Sequence, residues 1–401
     1  MNPGRIKIQV SKRHQSKIRN GYPWVHYYQL DNRKVSGKPG DLGVVYDADN
    51  RFLALGLFDP LSDIRLRILQ TRQPRPIDES FFSEKLEQAL ALREPLMVQE
   101  TTAYRVVNGE NDGFPGLVID RYDDTWVMKA YTSAWFPYVK MLVTLLVERV
   151  APLRIILQMS RHVQRVTEGG YQHNQVLHGP AVEGLVRFRE NGLWFEADLL
   201  EGQKTGFFLD QRENRQQVRE WAEGREVLNV FSYTGAFSIY ALAGGARSVL
   251  EIDVNAQAQA ASWNNYELNF GPRGDSGKSL RQIRGDAFEQ LAELIREGEQ
   301  FDLVILDPPA FARNRQSKAN ALQAYLRLAQ AGARCTRKDG ILLAASCSSS
   351  VRADEFYRAV DLGIRAAGRT CRKLLKTGHA LDHPVTFREG AYLKAIYCQL
   401  G

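Results

Sequence analysis

Cysteine is scarce in this chain. Of 401 residues only Cys335, Cys347, Cys371 and Cys398 are cysteine, and no two form a C-x-x-C pair. That speaks against a zinc site and against a disulfide framework, and it fits a reducing compartment. Histidine is also sparse, at 7 residues, and no His/Cys/carboxylate cluster has ligand spacing, so no metal is expected. Missing too is any run of about 18 uncharged apolar residues, which argues against a membrane span. The first 20 residues carry Arg5, Lys7, Lys12, Arg13, Lys17 and Arg19 without an apolar core, unlike a secretory signal. A cytoplasmic protein is the expectation. There is no internal repeat and no low-complexity tract.

What is present is a chain long enough for two or three domains. Hydrophobic residues make up 44% and charged residues 25%, a globular profile. The net charge of +7 is unevenly placed: residues 1–73 hold 13 basic and 6 acidic residues, and beyond them the signs balance. A basic first domain on a neutral body points to a polyanion, because Lys and Arg contacts release counterions from phosphates.

Three textures follow one another. Residues 1–73 read as short strands at Lys7–Val10, Leu42–Tyr46, Phe52–Phe58 and Ile64–Leu69. Alternation in Ile64-Arg65-Leu66-Arg67-Ile68 predicts a half-buried strand with one basic face. Gln73-Pro74-Arg75-Pro76 marks a boundary, since its prolines interrupt helix and ladder alike. Residues 74–183 read as a small α+β domain: a helix from Ile77 capped by Asp78, strands at Tyr104–Val107, Leu117–Tyr122 and Trp126–Tyr131, a helix near Tyr138–Val150, and a strand at Arg154–Met159.

Residues 184–401 form the third domain. Asn191-Gly192 predicts a type I′ hairpin between Leu185–Arg189 and Leu193–Ala197. Then apolar strands at Val227–Phe231, Ser248–Ile252, Phe301–Leu306 and Ile341–Ala345 alternate with helices at Ala236–Ala243, Asn255–Asn269, Ala287–Arg296 and Lys318–Arg337. A further helix through Phe356, Val360 and Ile364 precedes a last strand at Tyr392–Gln399. Continuous apolar strands between helices mean an α/β, Rossmann-like doubly wound sheet covered on both faces.

In such a sheet ligands bind at the carboxyl ends of the strands, near the switch point. The first strand ends in Asn229-Val230-Phe231-Ser232-Tyr233-Thr234-Gly235, where Gly235 lets backbone approach a ligand closely. Three glycines of the dinucleotide fingerprint are absent, which disfavours a nicotinamide oxidoreductase. Asp253 ends the second strand, placed to accept from ribose hydroxyls. Asp286-Ala287-Phe288 follows the third, suiting the amino group and face of adenine. Each aspartate could instead be a helix cap, but three such ends in register favour a nucleoside. The fourth strand ends in Asp307-Pro308-Pro309-Ala310-Phe311, a stiff turn that aims a carboxylate and offers a ring for base stacking. The fifth ends in Ser346-Cys347-Ser348. A thiol where a strand meets a loop can be the exposed nucleophile, while Cys335, Cys371 and Cys398 read as buried filler.

These strand ends resemble those of class I methyltransferases that act on large-subunit ribosomal RNA, above all the RlmI-type cytosine-5 methyltransferases. Lys204-Thr205-Gly206-Phe207-Phe208-Leu209-Asp210-Gln211-Arg212 is similar to that family's cofactor-side motif. Gly109 to Leu117 with Asp120-Arg121-Tyr122 looks like its central domain, and Gly21-Tyr22-Pro23-Trp24-Val25 like its N-terminal PUA RNA-binding domain. The resemblance covers essentially the whole chain. It implies S-adenosylmethionine as cofactor, held by Phe207, Asp210, Gln211, Arg212, Asn229, Phe231, Tyr233, Thr234, Gly235, Asp253, Asp286, Ala287 and Asp307. It implies ribosomal RNA, free or in an assembly particle, as substrate, met by Pro308, Pro309, Phe311, Arg13, Lys17 and Trp24. A homodimer is left open.

Cytosine carbon 5 is a poor nucleophile. A Cys347 thiolate adding to carbon 6 would activate it, with Asp307 near N3 absorbing the developing charge. RNA cytosine-5 enzymes with two cysteines carry the second in the proline-bearing turn; here that turn has none. Two other readings stay open: methylation of a purine, at guanine N7 or an exocyclic amine, without a covalent intermediate, and a non-catalytic RNA-binding protein.

Overall fold

The computed structural model describes residues 3–31, 35–47, 49–166, 170–274, 277–311 and 317–401. They divide into two compact units. One comprises Met1–Phe188, Ala197–Leu209 and Leu381–Phe387; the other comprises Arg189–Glu196, Asp210–Ala380 and Arg388–Gly401.

The first unit opens with β1 (Arg5–Gln9), α1 (Lys12–Arg19), β2 (Trp24–His26), β3 (Leu42–Tyr46), β4 (Phe52–Phe58) and β5 (Ile64–Thr71). These strands form a sheet in the order β1-β3-β4-β5-β2 over Ile8, Val25, Val45, Phe58 and Leu66. Its second sheet follows from α2 (Glu79–Val98), β6 (Ala103–Asn108), β7 (Leu117–Tyr122), β8 (Thr125–Ala130), α3 (Val139–Val150), β9 (Arg154–Met159), α4 (Arg161–Val166) and β10 (Gln175–His178), in the order β10-β9-β8-β7-β6. As the sequence predicts, Asp78 caps α2, accepting from the Phe81 N–H at 3.1 Å.

One hydrophobic core joins both sheets: Leu42, Leu55, Leu57 and Leu69 pack in the same cluster as Phe82, Trp126 and Met128. This sharing overturns the expected basic face of β5. Arg67 is buried, and its guanidinium pairs with Glu110 at 3.1 Å. A late return of the chain, Leu381–Phe387, also belongs here. Arg93 donates to the Asp382 carbonyl at 2.8 Å, and the Arg105 N–H donates to the Asp382 carboxylate at 2.7 Å.

The hairpin β11 (Val186–Glu190) and β12 (Leu193–Ala197) turns at Asn191 and Gly192, both with positive φ (49° and 78°) as a type I′ turn requires. Then come α5 (Arg212–Glu220), β13 (Glu226–Val230), α6 (Ala236–Ala243), β14 (Ser248–Asp253), α7 (Ala256–Phe270), β15 (Ser279–Arg284), α8 (Ala287–Glu297), β16 (Phe301–Leu306), α9 (Lys318–Cys335), β17 (Thr336–Ser346), α10 (Ala353–Ala366), β18 (Cys371–Thr377) and β19 (Lys394–Leu400). The sheet runs β15-β14-β13-β16-β17-β19-β18. It is parallel from β15 through β17, and β19 runs antiparallel to both its neighbours. Strand order reverses between β13 and β16, so a crevice opens at their carboxyl ends. Val227, Leu228, Leu303 and Val304 in these two strands are fully buried, which is the α/β architecture expected of continuous apolar strands.

Candidate active site

The chain leaves β13 through a turn that few sequences could make. Phe231, Tyr233 and Gly235 all have positive φ, at 63°, 50° and 75°, and only glycine takes that region without a steric penalty. Gly235 is also a place of close approach, since a Cβ there would lie 1.9 Å from Ser262 Oγ and 2.8 Å from Glu251 Oε1. The turn is fastened to β14: the Tyr233 N–H donates to Asp253 Oδ2, and the Asn255 N–H to Asp253 Oδ1, each at 2.8 Å.

Around this turn lie buried polar atoms that no described residue satisfies: Asn229 Oδ1, Ser232 Oγ and Thr234 Oγ1. Such orphans are costly unless a ligand or water meets them. Two of them on this turn and one on the strand before it, beside a carboxylate at the end of the next strand, fit a nucleoside with its hydroxyls.

Asp286 is exposed at the end of β15, where its Oδ1 caps α8 by accepting from Phe288 and Glu289 at 2.9 and 3.2 Å. The capping role and the position are therefore both real. Ala287 is buried behind it. The Phe311 ring sits among Phe231, Phe288 and Tyr325, with centroids at 6.4, 6.4 and 5.0 Å. An aromatic group thus connects the ends of β13, β15 and β16.

Asp307 follows β16 and is half-buried, with Pro308 buried and Pro309 exposed after it. Its charge reaches the Tyr397 phenol, which burial and Asp307 together push well above its usual range. Cys347 follows the adjacent strand β17, paired with β16 through Leu306 and Ala344, and is half-buried. Its turn is held from several sides. Ser346 Oγ donates to Tyr325 Oη at 2.8 Å, and Tyr325 Oη meets Ser348 Oγ at 2.9 Å. From β19, Lys394 Nζ donates to the carbonyls of Ser348 and Val351 at 2.5 and 2.8 Å.

Asp210, Gln211 and Arg212 are buried in the same unit. Asp210 Oδ2 accepts from the Tyr392 hydroxyl at 2.8 Å, and Arg212 pairs with Glu213 at 3.1 Å. Phe207 lies in the other unit, edge-on to Phe188 at 5.1 Å, its N–H donated to the Tyr122 hydroxyl. Arg13 and Lys17 are exposed on α1. Trp24 is half-buried: its Nε1–H donates to Glu110 at 2.7 Å and Phe387 packs against its ring at 5.2 Å. Sequence reasoning missed Lys394 and Tyr325. The one signal for Lys394 was a lysine opening the apolar run Ala395-Ile396-Tyr397.

Comparison with known proteins shows the family. Residues 160–360 match the model of an S-adenosylmethionine-dependent methyltransferase family, and residues 8–71 that of a PUA-like domain. A "Ribosomal RNA large subunit methyltransferase" from Deinococcus radiodurans is 44% identical, covering 99% of this chain and 98% of that protein. A "Ribosomal RNA large subunit methyltransferase I" from Alteromonas mediterranea is 34% identical, covering 98% of each. Among solved structures, one from Streptococcus mutans described as a SAM-dependent methyltransferase superposes with a TM-score of 0.83 at 22% identity, covering 98% of this chain and 100% of that one. The methyltransferase match, the PUA-like match and identity over the full length agree: this chain belongs to the family of S-adenosylmethionine-dependent ribosomal RNA large subunit methyltransferases.

Proposed function

We propose that the protein methylates carbon 5 of a cytosine in large-subunit ribosomal RNA, with Cys347 as the nucleophile. The observation that carries this reading is the placement of Cys347 at the carboxyl end of β17, on the strand next to the one that ends at Asp307-Pro308-Pro309. The names of the full-length relatives supply the substrate class, and a ribosomal RNA substrate is in keeping with a cytoplasmic enzyme.

The β13 turn, Asp253 and Asp286 would hold S-adenosylmethionine, which would supply an electrophilic methyl group. The protein must make carbon 5 able to accept it. Cys347 sulfur forms a bond to carbon 6, and the ring electrons displaced from the 5,6 double bond collect toward N3. A proton or hydrogen bond from Asp307 at N3 stabilises that charge, leaving carbon 5 enamine-like. After methylation the carbon-5 proton leaves to a base. The electrons of that C–H bond rebuild the double bond and expel the Cys347 sulfur. The RNA base must be splayed out of its fold to reach the site, and the basic face of α1, with Arg13 and Lys17, is suited to hold the flanking phosphates.

Nucleoside mass spectrometry of ribosomal RNA from cells with and without the gene tests this. Loss of one 5-methylcytidine is the expected result. Loss of a methylated guanosine or adenosine, with every 5-methylcytidine retained, would replace this reading with direct attack by a purine nitrogen.

A further inference from the structure

Lys394 is the first residue of β19 and stands opposite Ser346 in the ladder with β17. It is 3% exposed, an unusual place for a lysine. Among the described residues no carboxylate pairs with it. Its three N–H groups instead meet three carbonyls: Ser348 at 2.5 Å, Val351 at 2.8 Å and Tyr392 at 3.0 Å. An ammonium has three donors and no acceptor, so the cage matches the charged form donor for donor, whereas a neutral amine would leave a carbonyl unmet. Two of the three carbonyls belong to the turn that begins at Cys347.

We propose that Lys394 is a positioning residue for Cys347: its ammonium fixes the backbone of the turn that bears the thiol and favours the thiolate over the thiol. The inference rests on the reading of Cys347 as nucleophile. Cys347 acts on Lys394 from the end of β17. Tyr325, from α9, also feels the Cys347 charge and is tied to Ser346 and Ser348. Asp307, at the end of β16, acts on Tyr397. Burial pushes the Lys394 ammonium down to about 8, and the charge of Cys347 pushes it back up. By reciprocity the ammonium must favour the sulfur anion equally. A leucine or methionine would fill this buried position but provide neither the cage nor the charge.

The test is the rate of Cys347 alkylation by iodoacetamide, resolved by peptide mass spectrometry, from pH 5 to 10 in the full-length protein, K394R and K394M. Methyl transfer and S-adenosylmethionine affinity are measured alongside. The native profile should inflect below the free-thiol value of about 8.5. K394M should inflect at least about one unit higher, with alkylation about tenfold slower at neutral pH. In K394R the native inflexion should return, and cofactor affinity should be equal in all three. The same inflexion in K394M as in the native protein overturns the proposal. Should K394M not fold, a native inflexion at or above the free-thiol value overturns it as well. If Cys347→Ala still methylates RNA, the covalent chemistry falls, while the alkylation profiles still decide whether Lys394 favours the thiolate.

Discussion

The Asp253 carboxylate accepts the Tyr233 N–H at 2.8 Å and so ties the carboxyl end of β14 to the turn leaving β13. The same side chain would line the proposed cofactor cradle that it shapes. Asp253→Ala should weaken S-adenosylmethionine binding by about 1–3 kcal/mol, the cost of leaving hydrogen-bonding groups unmet. Calorimetric titration checks this. Unchanged affinity in a folded variant would remove Asp253 from the site.

Gly235→Ala should destabilise the fold by about 2–4 kcal/mol, combining left-handed backbone with overpacking. The added methyl would meet Ser262 Oγ and Glu251 Oε1. Urea unfolding measures the loss. A variant as stable as the native protein would mean that Ser262 can move aside.

Arg13→Glu with Lys17→Glu should weaken RNA binding and flatten the slope of log affinity against log salt by about 2 to 4, since two phosphate contacts are lost and two repulsive carboxylates replace them. Cofactor affinity should not change. Point changes are the right tool here. Removing residues 1–73 would take Leu42, Leu55, Leu57 and Leu69 out of a core shared with the second sheet. An unchanged salt slope would place the RNA elsewhere.

Burial outweighs the carbonyl cage, which favours the ammonium, and leaves Lys394 at about 8 in the fold, below its ordinary value. Between pH 8 and about 10.5 the unfolded chain therefore binds more protons than the folded one, and stability from this group rises with pH. Relative to K394M, the native protein should gain stability as the pH rises across that window and lose it again as the pH falls back to 8. Denaturant midpoints at both pH values check the sign. A gap that narrows with rising pH would contradict it.

The methyltransferase sheet was legible because its central strands are continuous apolar runs between amphipathic helices, and its strand ends carry glycine, proline and carboxylates. What escaped lies at the edges. α1 has Ile18 as its one buried apolar residue, β2 is three residues long, and β18 carries Arg372, Lys373 and Lys376 at the sheet margin. None of these shows the apolar period that marks a buried element. Arg67 misled in the opposite way: alternation shows which residues share a face but not that a second sheet covers it. Among the candidate site residues, Asn229, Thr234 and Asp253 stand out in the sequence by their position at strand ends. Lys394 does not, because its partners are backbone carbonyls, which leave no mark in sequence. Phe207 and Asp210, three residues apart, sit in different units, a break that no local pattern records.

The central claim is that Cys347 bonds to carbon 6 of its target. The direct measurement is methyl transfer by Cys347→Ala, together with capture of the native enzyme on RNA bearing 5-fluorocytosine, where fluorine blocks the final elimination. The alanine variant should fold, bind S-adenosylmethionine normally and transfer no methyl group, and the native enzyme should give a denaturant-resistant adduct through Cys347. Methylation by the variant at a comparable rate, with no adduct in the native enzyme, would contradict the account.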